Sequence, residues 1–406
     1  MAAPKLRFKE FDANWSLSSL GKMTTYFKGY AFKSESYKDS GIRVIRVSDL
    51  GRESIKTDND SIYIEANNAS AYENWIIKKD DIIITTVGSK PHLVDSAVGR
   101  PIYVKNNNEG LLNQNLLVLR PIDETVDSYF IYAQLLDKKY LTHIELIQRG
   151  NANQSNITVK DLQDFETYIT SKKEQTKIAS FLSAVDEKIS QLTQKHELLS
   201  QYKQGMMQKL FSQQIRFKAD DGSEFGEWEE KELKEVAEIN PKAKKLPANF
   251  IYIDLESVEK GQLLLHKNIE LQDAPSRAQR LLAKGDVLFQ MVRPYQQNNY
   301  YFNLSGEYVA STGYAQIRTK LDSKFIYYAL HEKTFLDEVM NRCTGTSYPA
   351  INSSDLSSIE MFVPCLEEQT KIANFLSAID QKIEVVAEQI EQAKQWKKGL
   401  LQQMFV

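Results

Sequence analysis

Cysteine is almost missing: the chain of 406 residues has 2, Cys343 and Cys365. Two lone thiols without metal-type spacing exclude a zinc ribbon and a disulfide scaffold, and they suit a reducing cytoplasm. Histidine is scarce too, 5 in all and scattered, so no catalytic or metal cluster stands out. No apolar run approaches the roughly 18 residues a membrane span requires. The opening MAAPKLRFKEF lacks the charged-then-apolar pattern of a signal peptide. A cytoplasmic protein with no membrane partner is the expectation. The motifs of common catalysis are also missing. TTVGSKP, from Thr85, holds a lone Gly-Ser-Lys rather than a phosphate-binding loop, and there is no dinucleotide fingerprint, paired-histidine zinc motif or C-x-x-C. The Asn/Asp-Pro-Pro-Tyr or -Phe signature of an adenine methyltransferase is absent as well. The chain is expected to be no enzyme, with no catalytic residue, metal site or cofactor of its own.

Strong charge of one sign is lacking: the net charge is −3. That neither announces nor excludes a nucleic-acid partner, because the charge is uneven. Residues 222–240 hold 7 acids and 2 bases, whereas residues 241–300 hold 9 bases and 6 acids.

What the chain does have is itself, twice. EQTKIASFLSAVDEKI begins at Glu174 and EQTKIANFLSAIDQKI at Glu368, an offset of 194. Ile157, Asp161 and Leu162 recur at that offset as Ile351, Asp355 and Leu356. KKDDIIITTV (from Lys78) resembles AKGDVLFQMV (from Ala283), and the lead-in at Leu6 resembles that at Ile215, each with a tryptophan. Each half reads as a lead-in, a module of mixed strands and loops, and a long helix. The helices match closely while residues 30–75 and 245–280 share little, the pattern of two binding heads of different specificity on one scaffold. Simple duplication with drift is the alternative, but drift should have blurred the helices too.

In the first helix Ile178, Leu182, Val185, Ile189, Leu192, His196, Leu199, Lys203, Met206 and Leu210 follow a 4-3 spacing. Ile372, Leu376, Ile379, Ile383, Val386, Ile390, Ala393, Lys397, Leu400 and Met404 repeat it. A sustained 3.5-residue period predicts a coiled-coil seam. Helices of about 38 residues, roughly 57 Å long, need a partner for that stripe. The obvious partner is the other copy, antiparallel, with one module at each end of a dumbbell. Lys203 and Lys397 would then sit apart rather than opposed. The expected fold is α+β: two α/β modules joined by two long antiparallel coiled-coil helices, with internal pseudo-two-fold symmetry. The expected boundaries are 1–170 and 215–366 for the modules, and 171–214 and 367–406 for the helices.

The loops are polar in both modules but with different side chains. QMVRPYQQNNYYFN, QRGNANQSN, NRCTGTSYP, GLLNQNLLVLR and SRAQR concentrate Arg, Asn, Gln, Ser and Tyr. Arg and Lys match the acceptor pair of guanine, Asn and Gln match the donor–acceptor pair of adenine, and Ser, Thr and Tyr suit phosphates. The same residues are ordinary turn formers, and Tyr295, Tyr300 and Tyr301 have a core reading as well.

Taken together, the duplicated EQTKIAxFLSAxDxKI helices, the G…IxxxDL segments before them, the GDVLFQMVRPYQQNNYYF stretch and the lead-ins FDANWSLSSLG and FGEWEEKEL resemble the specificity (S) subunit of type I restriction-modification systems. The resemblance covers essentially the whole chain. It implies that the modules are target recognition domains, each reading one half of a bipartite, asymmetric double-stranded DNA sequence. It also implies that the helices act as spacer and dock two methyltransferase (M) subunits, and that restriction (R) subunits join this core. S-adenosylmethionine, ATP and magnesium would belong to those partners, not to this chain. The expected DNA contacts are Lys28, Arg46, Ser89, Lys90, Asn113, Gln114, Asn151, Asn153 and Gln154 in the first module. In the second they are Arg277, Arg293, Tyr295, Gln296, Asn298, Thr312, Ser347 and Tyr348. GNANQSNI is one residue longer than GTSYPAI, so those two loops do not correspond residue by residue. A non-DNA scaffold with two protein-binding heads is the alternative from another class.

Overall fold

The computed structural model describes residues 3–57, 59–91, 97–150, 154–243 and 245–406, and for residues 67–70 the backbone alone. By its contacts the chain divides into two units, Met1–Leu192 with Gln389–Val406 and Thr193–Glu388.

The first unit holds a four-stranded antiparallel sheet in the order Thr24–Lys28, Leu116–Pro121, Ile82–Thr85, Pro101–Tyr103. Ile82, Ile83 and Ile84 are all 0% exposed. Ile82 and Ile84 pack with Leu117, Leu119 and Phe130, while Ile83 packs with Ile45, Ile102 and Val118. A strand covered on both faces reads as a continuous apolar run instead of an alternation. A second sheet orders Ile62–Ile64, Ile42–Ile45 and Leu111–Leu112, the last pair parallel.

The second unit repeats this plan. One sheet runs Ala237–Ile239, Tyr314–Thr319, Val287–Gln290, Tyr300–Tyr301, and the other contains Lys267–Glu270, Asn249–Ile253 and Tyr308–Ser311, the last pair again parallel. One further strand, Ala278–Leu281, pairs with Tyr308–Ser311. At that edge the described residues of the first unit make one bridge, Ile76 to Leu111. Residues 30–75 and 245–280, so different in sequence, therefore carry the same strand pair.

Several repeated letters are structural. Arg120 donates from Nε and Nη2, one edge of its guanidinium, to Asp81, at 2.6 and 2.9 Å, and Arg318 does the same to Asp286, at 2.7 and 2.7 Å. In each IxxxDL segment the isoleucine is buried, and Thr158 or Asn352 accepts the backbone N–H of Asp161 or Asp355 as a helix cap. Leu162 and Leu356 are then delivered to the core at 0% exposure.

The long helices span Lys172–Phe211 and Leu366–Met404, 40 and 39 residues. The EQT at the start of each fastens it to its own module. Arg7 donates to both oxygens of Glu174, at 2.7 and 2.9 Å, and Arg216 to both of Glu368, at 3.1 and 2.8 Å. Gln175 accepts from Asp127 N and Gln369 from Asp322 N, at 2.9 and 3.2 Å. Thr176 and Thr370 donate to the carboxylates of the same two aspartates.

Every seam position named above is buried or half-buried. In the first unit Leu400, Leu401 and Met404 share a core with Ile178, Leu182, Val185 and Ile189. In the second, Leu210, Met207 and Phe211 share one with Ile372, Leu376 and Ile379. The start of one helix meets the end of the other in each unit, so the pair is antiparallel. The 4-3 stripe is not helix-to-helix packing alone, however: Ile178 and Leu182 also pack with Trp15 and Phe130, and Ile372 and Leu376 with Trp228 and Phe325. Lys397 pairs with Asp186 at 2.5 Å and Lys203 with Asp380 at 2.6 Å. The same carboxylates accept the hydroxyls of Tyr129 and Tyr328. The lysines that interrupt the seam thus meet aspartates of the facing helix rather than each other.

Candidate nucleic-acid interface

In the second unit the chain leaves strand Val287–Gln290 into the loop Met291–Asn299. Arg293 N donates to Pro349 O at 2.7 Å and Ile351 N to Met291 O at 3.1 Å, which lays this loop beside residues 344–350. Pro294–Gln296 forms one 3-10 turn, flanked by Arg293 at φ 54° and Gln297 at φ 53°. A left-handed residue other than glycine costs about 1 kcal/mol, because Cβ crowds the following carbonyl. The guanidinium of Arg293 lies over the ring of Tyr348, 4.2 Å from its centroid. Tyr348 and Tyr295 are 63% and 52% exposed, unusual for large aromatics. On the other side Thr312 N donates to Arg277 O at 2.8 Å and Met291 N to Gly313 O at 3.0 Å. The Thr312–Gly313 turn, where the chain passes from strand Tyr308–Ser311 of one sheet to Tyr314–Thr319 of the other, thereby joins the same edge.

The first unit makes the corresponding ladder. Thr86 N donates to Asn115 O at 2.9 Å, Ile157 N to Thr86 O at 3.0 Å, and Val87–Gly88 pairs with Ser155–Asn156. By these bonds Thr86 corresponds to Met291, Gly88 to Arg293, Gln114 to Thr312 and Ser155 to Pro349. Lys28 is exposed at the end of its strand. Gly29 beside it comes so close to the Asn113 turn that a Cβ there would lie 1.9 Å from Asn113 O, which only glycine avoids. Tyr30, partly exposed, packs at a tilt against Trp75 at 4.7 Å and edge-to-face against Phe32 at 5.0 Å.

The structure thus brings together Lys28, Ser89, Lys90, Asn113, Gln114 and Gln154 in one unit. In the other it brings together Arg277, Arg293, Tyr295, Gln296, Thr312, Ser347 and Tyr348. Some candidates face inward. Asn113 is 9% exposed. Asn298 Oδ1 accepts from Lys260 N at 3.0 Å. Arg46 is engaged with Asp49, at 3.0 and 3.1 Å, and with the Asp60 carbonyl, so its guanidinium holds its own turn. Burial opposes the charge of Asp49, and Arg46 and Asn59 outweigh it, holding the carboxyl below its usual range. Asn151 and Asn153 lie outside the described residues. Of the tyrosines with a core reading, Tyr300 is core at 8% exposure, Tyr301 is half-buried on Tyr327, and Tyr295 is not core.

Sequence reading missed the anchors Arg7 and Arg216, although their alignment in LRF and IRF was a signal. It also gave no supporting role to buried Gln290 and Asn299 or to half-buried His331, polar residues under the second loop that nothing in the repeat marks.

Chemically this edge offers donors, a stacked guanidinium and open aromatic faces, the set that reads bases and phosphates. Among the described residues no group of three or more His, Cys, Asp or Glu could hold a metal ion. No described helix is long and apolar enough to cross a membrane. The family model described as "Type I restriction modification DNA specificity domain" matches residues 13–201 and again residues 226–395. The chain belongs to that family. Its function is DNA target specificity in a type I restriction-modification system, as a non-catalytic specificity subunit. The MjaVIII specificity subunit of Methanocaldococcus jannaschii is 25% identical over 346 residues, 80% of this chain and 78% of that one. A second chain of that organism, assigned provisionally as the MjaX specificity subunit, is 25% identical over 413 residues, 98% of this chain and 94% of its own. The crystal structure of a type I S subunit from M. genitalium superposes with TM-score 0.64 at 19% identity, covering 100% of this chain and 99% of that one. That likeness shows a shared specificity-subunit fold: two mixed α/β modules joined by two long helices.

Proposed function

We propose that residues 1–170 and 215–366 are target recognition domains, each reading one half of a bipartite, asymmetric DNA site. The long helices, residues 171–214 and 367–406, set the spacing between the halves and dock two methyltransferase subunits, to which restriction subunits add. S-adenosylmethionine, ATP and magnesium act in those partners, and the complex works in the cytoplasm. The single observation that carries this reading is the contrast at the loop edge. Two modules with one fold present different side chains at corresponding ladder positions: Gly88 against Arg293 and Gln114 against Thr312. An Arg or Gln placed in a major groove discriminates among bases by about 1–3 kcal/mol per bidentate contact.

The test is co-expression with the cognate methyltransferase subunit. A complex of two M per S that methylates adenine at one split site is expected, and replacing residues 20–170 with a relative's module should change one half-site only. If M alone modifies the same site, or the complex has no salt-dependent DNA affinity, the reading fails and a protein-binding scaffold takes its place.

A further inference from the structure

The recognition loop of the second module is bent against its own backbone preference, and what holds it is buried. Gln290, 2% exposed, ends the core strand. Its Nε2 donates to Val292 O at 2.8 Å and to Gln296 Oε1 at 3.0 Å, and its Oε1 accepts from Asn298 N at 3.0 Å. Its backbone N donates to Oδ1 of Asn299, itself 1% exposed, at 2.8 Å. Asn299 Nδ2 faces His331 Nε2 at 3.4 Å, and His331 Nδ1 lies 2.7 Å from Tyr327 O. A proton on Nδ1 satisfies both, since Nδ1 then donates to the carbonyl and Nε2 accepts. Burial pushes His331 down to about 4, so it is neutral at pH 7. One glutamine thus ties four points of the segment 292–299, and both left-handed residues, Arg293 and Gln297, lie within its span. Strained residues persist only where their surroundings over-determine them. The first module has Thr85 at the place of Gln290 and Gly88 at that of Arg293, so it needs no such strut.

We infer that the column Gln290–Asn299–His331 positions the second recognition loop: it sets where Arg293, Tyr295 and Gln296 stand and so determines the base specificity of one half-site without touching DNA. This rests on the reading of the loop as a DNA-reading edge.

The test uses the full chain in its complex with the methyltransferase subunits. Gln290→Leu removes every side-chain bond at nearly constant volume. Gln290→Glu keeps the acceptor for Asn298 N and loses the donor to Val292 and Gln296. Two quantities are measured: amide hydrogen exchange across 293–299, without DNA, and the affinity ratio between the intact site and sites scrambled in either half. The expected result for both variants is exchange at least 10-fold faster in that loop. The ratio for one half-site should fall at least 10-fold, and the other half should be unchanged. Unchanged exchange overturns the inference, and so does faster exchange with full discrimination at both halves. If Leu prevents folding, the Glu variant decides alone by the same criteria. Failure of the underlying reading shows separately, as a wild-type complex indifferent to scrambling of one half.

Discussion

Where the first module has Gly88 the second has Arg293 folded over Tyr348, and where the first has Gln114 the second has Thr312. A few residues below that edge the two modules are nearly superimposable in chemistry. Asp81–Arg120 matches Asp286–Arg318, Arg7–Glu174 matches Arg216–Glu368, and Tyr129–Asp186–Lys397 matches Tyr328–Asp380–Lys203. The difference teaches where selection could act freely. Buried charges must find partners or lose several kcal/mol, so the frame keeps its pairs, while an exposed loop edge can exchange side chains at little cost to stability.

The largest effects should come from breaking the shared frame. Arg7→Ala leaves Glu174, 1% exposed, without its charged partner and should lower unfolding free energy by about 3 kcal/mol in a denaturant titration. Arg216→Ala should cost a similar amount, and a neutral result for either would show that the two anchors are not equivalent. Burial works against the charge of Glu174, yet Arg7 and Thr170 hold its carboxyl below its ordinary 4.5. That stabilisation is complete above the ordinary value and is lost as pH falls through the depressed one. Arg7→Ala should therefore flatten the acid side of the stability profile.

Next comes the edge itself. Arg293→Ala should cost about 2 kcal/mol, roughly 30-fold, in affinity for one half-site, read by competition with DNA scrambled in each half. An equal loss at both halves would mean the residue neutralises phosphate instead of reading a base. Tyr129→Phe removes the hydrogen bond to Asp186, and Tyr328→Phe that to Asp380 with a longer one to Ser377; each should cost about 1.5 kcal/mol, measured by thermal unfolding. A large difference between them would break the symmetry of the helix contacts. The smallest effect sharpens the comparison most. Arg293→Gly gives the second module the first module's residue, relieves the left-handed strain and should leave stability within about 0.5 kcal/mol of wild type. Discrimination at that half-site should fall all the same.

Much of this was legible from the letters. The 194-residue repeat, the 4-3 stripe and the antiparallel pairing of the helices could be read because apolar periodicity and self-similarity are local properties of a sequence. The identity of EQTKIA in both helices had a second cause that periodicity hides. Glu and Thr lie off the stripe and Gln continues it as a buried polar residue, and each fastens a helix to its own module through Arg7 or Arg216 and a capping aspartate. The shared strand order of residues 30–75 and 245–280 was not legible, since the strands pair through backbone groups that any residue but proline supplies, and a half-exposed strand such as Lys267–Glu270 carries little apolar pattern.

Among the candidate contacts, composition alone could not separate Arg46 from Arg293. Both are arginines in polar turns, but Asp49 lies within reach of the first and Tyr348 beneath the second. By itself the sequence determined a duplicated chain, two modules and a pair of long helices, because those follow from spacing along the chain. Only the tertiary structure decided which arginine is engaged inward and which stands at the edge. It also revealed that a buried glutamine shapes the loop that carries Arg293. Arg293 meets Tyr348, 55 residues on, only when the loops pack. Although Asp49 and the partners of Gln290 are near neighbours in sequence, only the folded sheets decide which way those side chains turn.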